Sequence, residues 1–170
     1  MSQSAAMRHR PRDSRPLDDT EQYLTCGVGD ATFALNVTQV REVLDLRPVS
    51  RMPNMPPHVR GVIDVRGHAV PVIDLRTKFG MPPAEAADSN RIIVLEVVLN
   101  GRPLVIAALA DRVHEVTSLD SGAMEAPPEI GTRWRSEIIR GIGRRRDRFV
   151  IVLNLNRVFT MDDLTATGGP

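Results

Sequence analysis

The sequence predicts a mainly β protein made of two small, closed barrels that share an apolar face. Three observations favour this fold class: short apolar runs of strand length, tight-turn signals between them, and an internal repeat. Of the 170 residues, 42% are hydrophobic and 25% are charged, which is typical of a globular chain. We expect a disordered tail at 1–20, a first barrel at about 21–80, a linker at 81–90, a second barrel at about 91–160 and a disordered tail at 161–170. Terminal strands are allowed to cross between the two lobes.

Two hairpins are predicted in the first half of the chain. A period of two runs through Tyr23–Val37, and Gly29-Asp30 supplies the turn. A second run of valines and isoleucines, Val62–Ile73, flanks Arg66-Gly67. Leu75–Phe79 is expected to form a short terminal turn before the polar linker.

Between these hairpins the spacing of the apolar residues changes. Val40, Val43 and Leu44 occupy the i, i+3 and i+4 positions that make one face of a short helix. Asn36, with a glutamine three residues on, resembles a capping box at the start of this helix. Glu42 lies off the apolar face, so we expect its carboxylate to be exposed.

The second half of the chain contains two more hairpins. Asn100-Gly101 is the strongest turn signal in the sequence, because both residues tolerate a positive φ. Residues 119–135 are predicted to be irregular. The predicted strands cover 91–98 and 104–109 around Asn100-Gly101, then 138–142 and 148–155 across Arg144–Asp147.

The two halves resemble each other. One alignment sets Gly61 against Gly141 and Arg66 against Arg146, and a slightly shorter one sets the stretch 40–43 (VREV) against 113–116 (VHEV). Self-similarity at this length indicates one supersecondary unit used twice. Five short strands per unit would leave open sheet edges, so closure into a small barrel is expected, and two such barrels gain stability by sharing a core.

Composition argues against several classes of protein. The net charge is only +1 and 4% of the residues are aromatic, whereas nucleic-acid binders need excess basic charge or stacking platforms. Cys26 is the only cysteine, so no disulfide forms within the chain. We find no membrane-spanning run and no signal peptide, and the sequence therefore predicts a soluble cytoplasmic protein.

No catalytic, cofactor-binding or metal-binding residue is predicted. The four histidines are scattered, and the sequence has no Cys-x-x-Cys pair and no phosphate-binding glycine motif. Asp64 and Asp74 allow an alternative interpretation as the paired carboxylates of a small hydrolase, but ordinary polar residues at strand ends explain them better.

The functional surface is therefore expected to bind other molecules. Arg66, at a hairpin tip, has a guanidinium suited to pairing with an acidic residue of a partner. A possible accessory basic patch lies in the last hairpin, around the residue that the repeat sets against Arg66, although a solvated turn also explains it. If the patch binds phosphates, the chain is instead a small-barrel nucleic-acid binder. The patch consists of Arg144, Arg145, Arg146 and Arg148.

The sequence also resembles the CheW-like chemotaxis coupling proteins. That family shows the motifs V-x-E-V/I, R-x-P-N-x-P, G-V-I-N-L-R-G and V-P-V-I-D-L-R. They are matched here by Phe33–Leu44 (FALNVTQVREVL) and by Val49–Arg76 (VSRMPNMPPHVRGVIDVRGHAVPVIDLR), with the later I-x-G-I/L-G block at Ile139–Gly143. The resemblance covers residues 21–160 and implies two five-stranded SH3-like barrels around a shared apolar core.

The resemblance implies a non-enzymatic adaptor without cofactor or metal. It implies two partners, the regulatory domain of the histidine kinase CheA and the helical cytoplasmic tips of chemoreceptors, at arrays on the inner face of the membrane. No nucleic acid or membrane insertion is implied, and the same adaptor could serve a pathway other than flagellar control. Asp64 replaces the usual asparagine, which places a carboxylate near the hairpin arginine. By position, the residues associated with receptor and array coupling are Val40, Glu42, Gly61 and Arg66.

Overall fold

The computed structural model describes residues 21–119 and 137–161. The predicted tails (except Met161) and nearly all of the irregular stretch at 119–135 lie outside these residues. Within these two ranges, two four-residue helices, α1 and α2, and one 3-10 turn at Val37–Gln39 accompany the strands. The strands are β1 (Tyr23–Val28), β2 (Ala31–Asn36), β3 (Val40–Asp45), β4 (Val59–Val65), β5 (His68–Asp74), β6 (Arg91–Leu99), β7 (Arg102–Ala110), β8 (Arg112–Thr117), β9 (Ile139–Arg145) and β10 (Arg148–Leu153), with α1 at Leu75–Lys78 and α2 at Leu155–Val158.

All four predicted hairpins are present, and each has a two-residue turn. The turns are Gly29-Asp30, Arg66-Gly67, Asn100-Gly101 and Arg146-Asp147, the last being shorter than predicted. Arg66, Asn100 and Arg146 have φ values of 52°, 51° and 52°. These left-handed conformations match the twist of a tight hairpin, and arginine adopts them here without the help of glycine's freedom.

The ten strands form two five-stranded sheets, so the predicted mainly β fold class is confirmed. Sheet 1 has the order β8-β1-β2-β10-β9 and sheet 2 the order β3-β6-β7-β5-β4. β10 runs parallel to β2 and β5 runs parallel to β7, while the other neighbouring strands are antiparallel.

The distribution of strands between the sheets differs from the expected division at 81–90. β1 and β2 join the last three strands, and β6 and β7 join β3, β4 and β5. The reason is that turn signals specify which consecutive strands pair, but not which hairpins then meet edge to edge. The sequence allows terminal strands to cross between the lobes. In the structure two strands of each half, β1 and β2 from the first and β6 and β7 from the second, join the sheet of the other half.

The predicted helix at Val40, Val43 and Leu44 is wrong, because this segment is the edge strand β3. Val43 pairs with Ile93 of β6 and is 40% exposed, while its neighbours are half-buried. The three apolar residues share one helical face but not one strand face, and pairing with the unbroken β6 beside them decides the outcome. Asn36 is nevertheless a cap, since its side chain accepts a hydrogen bond from Thr38 N at the 3-10 turn.

A large apolar core lies between the sheets, as the repeat predicted. Along β6, Ile93 and Leu95 face this shared core, whereas Ile92 and Val94 face a smaller cluster within sheet 2. A third cluster lies within sheet 1. Each sheet thus has its own interior besides the common seam, as expected of two packed barrels. Phe33 of β2 and Phe79, which follows α1, stack across the seam with ring centroids 5.0 Å apart.

Candidate functional site

Arg66 projects from the tip of the β4–β5 hairpin and pairs with an edge strand. Its Nε donates to Glu42 Oε2 at 3.2 Å, and 80% of its side chain is exposed. Glu42 belongs to β3, and β3 and β4 are the two edges of sheet 2. The ion pair therefore connects the two ends of the sheet order. Because Arg66 is so exposed, this single contact is weak and easily exchanged for a partner's carboxylate.

The helical interpretation predicted an exposed Glu42, but the structure places its side chain only partly in solvent. Its side chain is 28% exposed, because β3 alternates with a period of two and turns Glu42 and Val43 to opposite faces. The carboxylate lines a groove of about 580 Å³ with Arg66 at the same rim. Valines from four further strands form the wall of this groove, namely Val65, Val70, Val94 and Val105. A charged rim over an apolar wall is suited to a partner that offers both an acidic and an apolar side chain.

Asp64 does not compete with Glu42 for Arg66. Its Oδ1 accepts a hydrogen bond from Gly67 N at 2.8 Å, which stabilises the turn that carries Arg66. An asparagine oxygen could accept the same bond, so the departure from the family motif preserves the turn. The carboxylate that accepts a hydrogen bond from the Arg66 guanidinium is that of Glu42.

Gly61 serves the chain's own fold. Its φ is 143°, and a Cβ at this position would lie 2.1 Å from Ser50 O. Ser50 and Val62 form an isolated bridge with two backbone hydrogen bonds of 2.9 Å. The close backbone approach that Gly61 permits is thus a contact with the connector that precedes β4.

Val40 lies apart from the rim of the groove. It begins β3 opposite Leu95 and packs, half-buried, against the shared core. The structure therefore brings Glu42 and Arg66 together among the four predicted residues, and places Val40 and Gly61 in supporting positions on β3 and β4.

The hydrolase alternative finds no support in the partners of its two carboxylates. Asp74, at the far end of β5 from the Asp64 turn, is buried and caps α1 through a bond from Arg76 N. Arg60 also donates to Asp74 from Nε and Nη2, at 3.0 and 2.7 Å. Within residues 21–119 and 137–161, no group of three metal-ligating side chains occurs. The helices of these ranges are too short or too polar to cross a bilayer.

The β9–β10 hairpin of sheet 1 reproduces part of this arrangement. Arg145 Nε lies 3.7 Å from Glu115 Oε1 on β8, so an arginine and a glutamate again connect the two edges of the sheet. Glu115 is the repeat partner of Glu42, but the arginine comes one position before the repeat partner of Arg66. Only part of the predicted basic patch therefore faces solvent: Arg144, Arg146 and Arg148 are exposed and Arg145 is half-buried.

Sequence reasoning missed Phe149, which is 61% exposed beside these arginines. A signal was present, because Phe149 alternates out of phase with the buried Val150 and Val152. Sequence reasoning also missed Asn156, whose Oδ1 accepts bonds from Gln39 Nε2 and from Val98 N at 3.0 and 2.9 Å. These partners are distant in sequence, so no local sequence pattern predicts the contacts.

Comparisons with known proteins give a consistent result. The model of the CheW-like domain family matches residues 22–163. A probable chemotaxis protein CheW of Rhizobium etli is 32% identical over 78% of this chain and 83% of its own length. The chemotaxis protein CheW of Rhizobium meliloti is 30% identical over 82% and 87% of the two chains. The crystal structure of the scaffolding protein TtCheW from Thermoanaerobacter tengcongensis superposes with a TM-score of 0.71, at 27% identity, over 82% of this chain and 92% of that one.

Proposed function

The chain belongs to the CheW-like domain family, and from this premise we propose that it is a non-enzymatic adaptor that couples chemoreceptors to the histidine kinase CheA. Its partners are the cytoplasmic receptor tips and the regulatory domain of the kinase. It works in the cytoplasm, where receptor arrays recruit it to the inner face of the membrane.

The exposed ion pair of Arg66 and Glu42 is the observation that carries this proposal. An exposed salt bridge contributes little to stability, and this one lies at a surface rim with 80% of the arginine side chain exposed. The rim borders an apolar groove, so the same surface offers charge for orientation and apolar area for affinity. A partner carboxylate that displaces Glu42 gains a cation without the cost of unpairing a buried charge.

Coupling follows from several weak contacts acting together. An interface of ~800 Å² per partner is of standard size, and a micromolar affinity corresponds to ~8 kcal/mol. Repetition of such contacts in an array raises the effective concentration of each partner. The adaptor alters kinase output by binding one kinase state more tightly than the other.

The test is a reconstitution of receptor, kinase and adaptor with Arg66→Ala. We expect receptor-dependent control of the kinase to be lost while the free energy of unfolding changes by no more than about 0.5 kcal/mol. Arg102→Ala is the matched control, because Arg102 is also an exposed arginine beside a hairpin turn. Retention of normal control by Arg66→Ala, or loss of control through unfolding, would remove the basis of the proposal. Capture of the kinase regulatory domain and of a receptor tip by the purified chain tests the two partners separately.

A further inference from the structure

Phe149 is the most exposed large hydrophobic side chain in the described part of the protein. It is 61% exposed, near the tip of the β9–β10 hairpin. A single exposed hydrophobic residue is ordinary on a protein surface, whereas one that is held by a charged neighbour forms a more defined surface. Its position opposite Arg144 in the β9–β10 ladder supplies such a neighbour.

Arg144 stacks on the Phe149 ring. The guanidinium carbon lies 5.0 Å from the ring centroid, within the range of a cation–π contact. The stack covers one face of the ring and holds both side chains in a defined orientation. Pre-orientation of an aromatic and an arginine lowers the entropy lost when a partner binds, and these residue types are enriched at the energetic centres of protein interfaces.

The charges around this stack are mostly positive. Arg144, Arg146 and Arg148 are exposed, and Asp147 in the turn opposes only part of their charge. Arg145 does not belong to this surface, because it turns toward Glu115 of β8. We call the group of Arg144, Arg146, Arg148 and Phe149 the basic tip.

The field of the basic tip extends to β8. The pKa of His114 lies below its ordinary value because burial disfavours the charged form and because Arg112 and Arg148 repel it, while Glu115 acts in the opposite direction. Arg148 of β10 therefore influences a side chain of the edge strand β8.

We propose that the basic tip is a docking surface for an acidic protein segment in which an apolar side chain lies among carboxylates. The arginines match the carboxylates, and the free part of the Phe149 ring matches the apolar side chain. This inference goes beyond the proposed coupling through Arg66, which lies on the other sheet, and does not depend on it.

Nucleic acid fits this surface less well. Base stacking needs a free aromatic face, and Arg144 already covers one face of the single aromatic residue in the basic tip. Phosphate binding along a strand needs an extended basic track, whereas the whole chain carries a net charge of only +1. An acidic protein segment requires neither feature.

The experiment measures binding of three labelled probes to the full chain by fluorescence anisotropy. The probes are a peptide of single leucines between pairs of glutamates, an oligoglutamate of equal length and a single-stranded oligothymidylate. The variants are Phe149→Ser, Arg148→Gln and the triple replacement of Arg144, Arg146 and Arg148 by glutamine. Arg102→Gln is the matched control, since Arg102 opens β7 after a two-residue turn as Arg148 opens β10. Thermal melting checks that each variant is folded. If Phe149→Ser does not fold, Arg148→Gln takes its place as the single-residue variant of the basic tip.

We expect the leucine-containing peptide to bind, more tightly than oligoglutamate, and to bind at least about tenfold more weakly to Phe149→Ser and to the triple variant. Arg102→Gln and Arg66→Ala should bind it as the native chain does, which separates this surface from the proposed coupling site. Absence of peptide binding overturns the proposal. The proposal is also overturned if the peptide and oligoglutamate bind with equal affinity and Phe149→Ser leaves that affinity unchanged. A third contrary result is that oligothymidylate binds more tightly than the peptide and loses its binding in the triple variant.

Discussion

Arg76 and Asp111 form a forked ion pair that ties the two sheets together. Arg76 Nε lies 2.9 and 3.1 Å from the two carboxylate oxygens, and Nη2 lies 2.8 Å from Oδ2. Arg76 belongs to α1, which follows β5 of sheet 2, and Asp111 is the single residue between β7 and β8. Asp111 Oδ2 also accepts from Gly29 N at 2.7 Å, in the first turn of sheet 1. One carboxylate therefore holds groups from both sheets.

Replacement of this carboxylate should destabilise the fold. We expect Asp111→Asn to lower the free energy of unfolding by about 2 kcal/mol, because the amide cannot accept all the bonds that Arg76 and Gly29 donate. Asp45→Asn is the control, since the Asp45 side chain is 92% exposed at 3.5 Å from Arg91 and its loss should cost less than about 0.5 kcal/mol. Urea unfolding measures both changes, and equal effects of the two variants would contradict this role of Asp111.

The same pair makes stability depend on pH. Burial raises the pKa of Asp111, but hydrogen bonds from Arg76 and Gly29 outweigh it and hold the pKa below its ordinary value. The contribution is therefore fully present above the unfolded-state pKa and is lost as the pH falls through the lower folded-state pKa. Unfolding measured from about pH 5 downward should show a shallower loss of stability in Asp111→Asn than in the native chain. Parallel curves would show that Asp111 does not contribute to the acid sensitivity.

Gly61 and Gly67 provide a matched pair of glycines with positive φ. A Cβ on Gly61 would meet Ser50 O at 2.1 Å, whereas a Cβ on Gly67 would meet nothing within 4 Å. We expect Gly61→Ala to cost about 3 kcal/mol or more and Gly67→Ala about 1–2 kcal/mol, the latter from backbone conformation alone. Calorimetric melting of both variants checks the difference. A mild Gly61→Ala variant with impaired partner binding would instead place this glycine at an interface.

Cys26 should be inert in the native protein. It is fully buried in the shared core, and burial raises its pKa to about 12. The thiolate is the reactive form, so alkylation by iodoacetamide near neutral pH should be limited by unfolding and should become rapid in denaturant. Native-state labelling at the rate of a free thiol would show that the seam between the sheets opens readily.

The sequence predicted local pairing well because local pairing has local signals. The Asn100-Gly101 and Arg66-Gly67 turns lie where the residue pattern placed them, and a shared core is present, as the internal repeat predicted. The error at β3 arose because Val40, Val43 and Leu44 share one face of a helix, whereas in the strand Val43 lies on the opposite face from the other two. Only the neighbouring strand β6 distinguishes the helix from the strand.

For the candidate site, the sequence identified Arg66 and Glu42 but not their contact. Their pairing depends on β3 and β4 being the two edges of one sheet, and this topology has no signature in either segment. The resemblance named both residues without giving their geometry. Asp111 was missed for the same reason, since its partners Arg76 and Gly29 come from distant parts of the chain.

The sharing of strands between the sheets has a consequence for the order of assembly. Sheet 2 is encoded without interruption, from β3 to β7, so it is complete as soon as β7 has left the ribosome. The first hairpin must wait for β10, about 110 residues later, which at roughly 5–20 residues per second is a delay on the order of 5–20 s. During synthesis sheet 2 is therefore complete first, and sheet 1, which combines the first two strands with the last three, is completed last.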